Sequence, residues 1–264
     1  MRKYLRLSLV VLICSTYFAL APFGYVAFTV WHLFPSKNPN ARARVLQGIM
    51  RRAFRLMHDT LRVSGFLSFN PRRVEGSLPE GPAVLVANHP TLVDVTSIMA
   101  AFPNVTTVVK PNLYRRFWFQ GLLRDARLFE GATSADGLAR MVDDAVERLQ
   151  EGFRVLIFPE GTRSPEGKLR PFGRAAFEIA CRLNVPVVPI VIRCQPVWLS
   201  KEYPISRMRD ETVHFTLTAL EPILPSEHGR TSRQLRDVVE ALIHNQLYLT
   251  PVQESGTANE QRCS

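Results

Sequence analysis

The chain has 264 residues, 46% of them apolar and 21% charged, ordinary folded-protein proportions that exclude disorder, collagen-like sequence and a multi-span channel. Its net charge is +10, and residues 1–75 hold the whole excess, twelve Lys/Arg against Asp59 and Glu75; residues 76–264 carry twenty-one of each sign. A neutral body argues against a nucleic-acid-binding domain, and cations beside the most apolar stretch of the chain point to a membrane surface. From Ser8 to Phe34 no side chain carries a formal charge, a run long enough to cross a hydrocarbon core about 30 Å thick. Pro22 and Gly24 near its middle leave a kink or a re-entrant bend as open as a straight span. Tyr17, Tyr25 and Trp31 suit a membrane interface. A cleaved signal peptide competes with this reading, since Met1–Arg6 is basic and Ala19-Leu20-Ala21 mimics a cleavage site. Pro22 directly after that cut, and the apolar residues that continue beyond it, oppose the signal peptide.

After the linker Pro35–Pro39, the segment from Asn40 to about Phe66 repeats apolar residues every four positions. Val45, Ile49, Ala53, Met57 and Leu61 form the row, with Leu46, Met50 and Phe54 beside it, a helical stripe. Arg42, Arg44, Arg51, Arg52, Arg55 and Arg62 supply the cationic remainder, the composition of a helix lying on an anionic leaflet. A helix packed on the globular body would show the same stripe. Lys37 to Arg73 holds nine basic residues against three before the apolar run. The positive-inside rule therefore puts everything after Phe34 on the cytoplasmic side of the cell's inner membrane.

From residue 76 the pattern becomes short β-rich runs alternating with helical ones. Ala83–Ala87, Val105–Val109, Arg154–Phe158, Val187–Ile192 and His214–Leu220 read as strands, and Ala135–Glu151, Phe172–Leu183 and Ser232–Leu247 as helices. The expected fold class is α/β, a central mixed sheet flanked by helices and preceded by an N-terminal membrane-attached helical module. The division is 1–75 for the membrane-anchoring helices, 76–250 for the α/β domain and 251–264 for a polar tail. Cys14, Cys181, Cys194 and Cys263 show no ligand spacing and read as incidental reduced thiols. With no HExxH, no Cys/His cluster and no carboxylate-rich loop, neither a metal nor any other cofactor is implied.

The chemistry concentrates at two strand exits. Asn88-His89-Pro90-Thr91-Leu92-Val93-Asp94 follows the strand AVLVA, and α/β folds place their sites at such carboxyl ends. Histidine is the residue type whose ordinary pKa suits base catalysis near neutrality, and Asp94, five residues on from His89, can fold back to one imidazole nitrogen if a helix begins there. A satisfied structural His–Asp contact would look the same. The second exit reads Phe158-Pro159-Glu160-Gly161-Thr162-Arg163-Ser164. Gly161 permits a conformation closed to other residues, Glu160 and Thr162 can bond a polyol or a turn, and Arg163 offers a fork for phosphate. A third run, Val185-Pro186-Val187-Val188-Pro189-Ile190, is an apolar strand entered through proline.

In this order and spacing, NHPTLVD, FPEGTRS and VPVVPI resemble three blocks of the glycerophospholipid acyltransferase family, whose best-known members are 1-acylglycerol-3-phosphate acyltransferases. The resemblance spans roughly residues 80–195. It implies transfer of a fatty acyl group from an acyl-carrier-protein (ACP) or coenzyme A (CoA) thioester to a lipid hydroxyl. The acceptor it implies is lysophosphatidic acid, giving phosphatidic acid. His89 and Asp94 become the catalytic pair, and Lys110, Glu160, Gly161, Thr162 and Arg163 the substrate-binding residues, with no cofactor. Val187–Ile190 is expected to line the acyl site. The family's second block, which follows the VTTVV strand and helps hold the acceptor's phosphate, is only partly present: Lys110 and Gly121 fit, but Gly131 follows Leu128-Phe129-Glu130 where an Arg is usual. A different lyso-lipid or a specialised hydroxylated acceptor therefore stays open. Partners are the acyl donor, the lyso-lipid and an anionic membrane surface, with no nucleic acid. A thioesterase using the same pair on water, or a non-catalytic membrane adaptor, are the competing classes.

Overall fold

A computed structural model describes residues 2–31, 38–200, 211–226 and 231–249. Phe34, Lys37, Cys263, the polar tail 251–264 and the side chain of Trp31 lie outside what is described. Among the described residues fourteen elements follow one another: α1 (Arg2–Trp31), α2 (Pro39–Val63), β1 (Val84–Ala87), α3 (Asp94–Ala101), β2 (Val105–Val109), α4 (Pro111–Tyr114) and α5 (Phe117–Asp125) form the first half. The second half is β3 (Phe129–Glu130), α6 (Ala135–Gln150), β4 (Arg154–Ile157), α7 (Ala175–Leu183), β5 (Val187–Gln195), β6 (His214–Ala219) and α8 (Ser232–Tyr248).

The strands form one mixed sheet in the order β3-β2-β4-β1-β5-β6. The first five run parallel, and β6 closes one edge antiparallel to β5. Central strands such as Val84–Ala87 show no polar alternation because both faces are covered. Leu85, Leu156, Val188 and Ile190 pack with Leu46, Met57, Leu61, Ile98 and Leu122 on the α2, α3 and α5 side. Val84, Val86, Val155 and Val191 face Val142, Leu149, Phe177, Leu235 and Val239 of α6, α7 and α8. Ser134 caps α6 by accepting from the Gly137 N–H at 3.1 Å, and Thr231 with Gln234 closes a capping box on α8.

Helix α1 runs through Pro22 as one element, without the break the sequence left open. Ser8–Ala27 within it is long and apolar enough to cross a membrane. Ile13, Cys14, Tyr17, Ala21 and Tyr25 pack toward the protein, while Leu9, Leu12, Phe18, Leu20, Phe23, Val26 and Val30 lie bare on the other face. The Tyr25 hydroxyl donates to Asp125 at 3.0 Å, and Gly121 makes this approach possible. A Cβ at Gly121 would stand 2.8 Å from the Tyr25 hydroxyl oxygen and 2.9 Å from its ring.

Helix α2 corrects the expected use of its arginines. Arg42 pairs with Asp125 at 2.9 Å, and Arg44 donates to the Glu151 carbonyl. Arg51 donates to the carbonyls of Ala100 and Ala101, and Arg55 to that of Ala100. These last two satisfy the open carbonyls at the end of α3, where the helix dipole favours cations. Four of the six arginines thus hold α2 on the body. The apolar row is also displaced: Ala43, Leu46, Met57 and Leu61 are buried, whereas Val45 and Ile49 are exposed. The buried side chain of His58 fastens the same joint, its Nε2 lying 3.3 Å from the Thr96 hydroxyl and 3.4 Å from that of Ser97. Leu67 bridges to Val213 just before β6 and Glu75 to Thr218 within it, so packing is continuous across the expected boundary at 75.

Candidate active site

Parallel strands β1, β4 and β2 are neighbours, so the segments that leave them open on one edge of the sheet. His89 follows β1, Glu160–Arg163 follow β4 and Lys110 follows β2. Strand spacing puts the β1 and β2 exits about 10 Å apart. The sheet order therefore gathers residues separated by more than seventy positions in sequence.

His89 Nδ1 lies 2.7 Å from Asp94 Oδ2. Asp94 is the first residue of α3, as a fold-back across five residues requires. Its carboxylate is fully buried and also accepts from the Thr91 N–H at 2.8 Å and from the Thr91 hydroxyl. Burial pushes the Asp94 carboxyl upward, and the bonds from His89 and Thr91 oppose that push. Three donors converging on one buried carboxylate fix the ring's orientation, with Nδ1 carrying the proton. The imidazole stacks on Phe158 at 4.2 Å between centroids and is 19% exposed, which leaves Nε2 for an incoming group.

The backbone of His89 is braced by the second motif. Its N–H donates to Glu160 Oε1 at 2.8 Å, and its carbonyl accepts from the Ser164 N–H at 2.9 Å. Glu160 Oε2 accepts from the Arg170 N–H at 2.9 Å and from the Ser164 hydroxyl. Both carboxylate oxygens are engaged inside the protein. Glu160 was expected among the substrate ligands; its geometry is that of a residue organising the loop that carries His89. Gly161 turns the chain at φ 68°, as its residue type suggested. Thr162 is half-buried, and Arg163 donates through one Nη1 to the Leu199 carbonyl at 2.6 Å, keeping other N–H groups of its fork. The same carbonyl accepts from the Leu92 N–H, so one oxygen ties the two motif loops to the segment after β5.

Asn88 was not singled out as a site residue, and its role is plain in the structure. Its amide donates to the Ile192 carbonyl and accepts from the Ile192 N–H, each at 2.8 Å. The side chain continues the β1–β5 ladder one step past the strand and aims His89 out of the sheet. The signal in the sequence was its place beside His89 in NHPTLVD.

In the second block, Lys110 is exposed at the end of β2. Arg115 pairs with Glu130 at 2.7 Å, and Arg127 turns away to Glu151 and Asn40. Gly131 has no room for the side chain that the resemblance led one to expect. A Cβ there would lie 2.9 Å from Val108 Cγ1 and 3.3 Å from the Val109 carbonyl oxygen.

Val187–Ile190 does not line an open site. Val187, Val188 and Ile190 are fully buried between β1 and β6, paired with Val84, Leu85 and Ala87. The part of β5 level with His89 is Ile192 onward. Cys194 is buried there, and desolvation pushes its thiol up to about 12.

Residues 69–193 match a family model described as Acyltransferase. A 1-acyl-sn-glycerol-3-phosphate acyltransferase from Caenorhabditis elegans, described as putative, is 32% identical over 115 residues, 42% of this chain and 41% of that one. The alpha form of that enzyme from Mus musculus is 30% identical over 131 residues, 47% of this chain and 45% of its own. The chain thus spans less than half the length of the curated relatives it matches. A crystal structure of the 1-acyl-sn-glycerophosphate acyltransferase PlsC from Thermotoga maritima superposes with a TM-score of 0.70. It is 23% identical, the match covers 96% of this chain and 100% of that one, and the two share the fold. With both motif loops intact and joined around His89, residues 69–193 match the acyltransferase family, and over that segment the chain is similar to 1-acylglycerol-3-phosphate acyltransferases.

Proposed function

We propose that this chain is a membrane-bound O-acyltransferase. It moves a fatty acyl group from an ACP or CoA thioester to the free hydroxyl of a lyso-lipid, with 1-acylglycerol-3-phosphate as acceptor and phosphatidic acid as product. The observation that carries the reading is the 2.7 Å contact between His89 Nδ1 and buried Asp94, with Nε2 left open at the carboxyl edge of the sheet. Nε2 takes the proton of the acceptor hydroxyl as its oxygen attacks the thioester carbonyl carbon. The carbon–sulfur bond then breaks, and the imidazolium returns the proton to the leaving thiolate. Asp94 stabilises the imidazolium in between, as the carboxylate of a catalytic triad does. In this reading the acyl group passes directly from the thioester to the acceptor hydroxyl, without a covalent acyl-enzyme.

Lys110, Thr162 and Arg163 bind the acceptor's phosphate, Gly161 shapes that loop, and Glu160 holds His89 in place. The apolar Ser8–Ala27 helix keeps the catalytic edge beside the bilayer, so acceptor and product need not leave it. The charge asymmetry about that helix supports a cytoplasmic location for the body. A second reading, an acceptor without a phosphomonoester, draws on the bare Gly131 beside β2. Incubating the reconstituted protein with labelled acyl donor and a panel of lyso-lipids, with products identified by mass, tests both. Phosphatidic acid as dominant product supports the first acceptor. Free fatty acid released at the same rate without any lyso-lipid would mark a thioesterase instead.

A further inference from the structure

The segment joining β2 to α5 has a composition that the catalytic reading does not use. Leu113, Phe117 and Trp118 are bare, Phe117 at 82% and Trp118 at 69% exposure, with the two rings in edge contact at 5.2 Å between centroids. Large aromatics left this open on a folded surface mark an interaction site. Lys110, Arg115 and Arg116, all exposed, lie between and beside them. An apolar tip ringed by cations fits the boundary between acyl chains and anionic headgroups, the depth that Trp favours.

Two observations select a bilayer as the occupant. The first is continuity with the membrane helix. Helix α5 is held against α1 by the Tyr25–Asp125 bond and by the close approach at Gly121, beside the stretch of α1 that leaves Phe23, Val26 and Val30 bare. The second is position. The tip emerges from the same sheet edge as His89, its first residue Leu113 three positions after Lys110, and Leu92 of the His89 loop is also exposed. We propose that Leu113, Phe117 and Trp118 form a membrane contact additional to the N-terminal helices, inserting into the interfacial zone of an anionic leaflet. That contact presses the mouth of the His89 site against the bilayer, where a lyso-lipid can enter headgroup first. It relies on the acyl-transfer reading only for its purpose.

The test uses the full chain reconstituted in vesicles of phosphatidylcholine and phosphatidylglycerol. Subtracting the emission of Trp118→Tyr from that of the parent isolates the Trp118 signal. That signal should be blue-shifted, quenched by acyl-chain-brominated phosphatidylcholine and shielded from iodide. Quenching by iodide with no response to brominated lipid would overturn the proposal. So would shielding on addition of acyl-carrier protein in detergent without vesicles, which would assign the patch to a protein partner. The double substitution Phe117→Ser with Trp118→Ser should raise the KM for vesicle-borne acceptor about tenfold. It should leave turnover of a monomeric short-chain acceptor unchanged; equal losses on both acceptors would also overturn it. The quenching needs no turnover, so a wrong choice of acceptor and a wrong membrane contact are told apart.

Discussion

Replacing Glu160 by Gln changes one buried oxygen into an NH2 group and separates two roles that look alike in sequence. Oε1 accepts from the His89 N–H at 2.8 Å, while Oε2 accepts from the Arg170 N–H and the Ser164 hydroxyl. A glutamine amide oxygen can keep the two bonds at Oε2, but its NH2 then faces the His89 N–H, donor against donor. A buried N–H stranded in this way costs about 1–3 kcal/mol, and bonds to the lost charge weaken as well. The protein should lose stability by that order and still fold. Displacing His89 by a fraction of an ångström to 1 Å carries a rate cost of up to about 10²-fold. Steady-state kinetics with varied lyso-lipid, beside a thermal melt, give the readout. A fall in kcat of that order with KM for the acceptor nearly unchanged fits a residue that positions His89. A rise in acceptor KM with kcat intact would refute the reasoning and return Glu160 to the binding set.

Three further outcomes follow from the same geometry. Asp94→Asn removes the charge that stabilises the imidazolium and disturbs three converging donors, so kcat should fall about 10³- to 10⁴-fold, measured as acyl transfer by purified protein. The His58 imidazole is lowered by burial from 6.5 to about 4, so the unfolded chain takes up a proton that the folded protein refuses. Its stabilising contribution is complete above pH 6.5 and is lost as pH falls toward 4, by up to about 3 kcal/mol. Melting temperatures across that window should drop less steeply in His58→Gln than in the parent. Gly121→Val drives a branched side chain into the Tyr25 ring and should loosen α1 from α5. Proteolysis between α1 and α2 should then accelerate while β-sheet circular dichroism is retained.

Much of this arrangement was legible because it is written in local chemistry. The AVLVA run has no polar alternation and forms a strand buried on both faces; Gly161 sits where φ is positive; Asp94 folds back to His89 as the spacing required. The helix that makes the fold-back possible was not readable. Asp94–Ala101 buries Thr96 and Ser97, whose hydroxyls return to the Val93 carbonyl, so the polar residues that mark a helix's outer face are inside. The two-residue β3 is too short for any period. The α2 arginines read as membrane-facing because composition carries no partner information; only the tertiary fold brings the end of α3 beneath Arg51 and Arg55. The internal bonds of Glu160 were hidden for a related reason. The residues whose N–H groups it accepts are 71 and 10 positions away.

The central claim is that His89 is the base in acyl transfer to a lipid hydroxyl, and His89→Ala tests it most directly. The substitution leaves the backbone N–H and carbonyl that bind Glu160 and Ser164, so the loop and the melting temperature should be largely retained. Turnover is to be measured on reconstituted protein with labelled acyl donor and lyso-lipid, following thioester consumption and acylated product together. The account predicts that product formation falls at least about 10²- to 10⁴-fold, the share a positioned general base supplies. Acylated product appearing at the parent rate would contradict it.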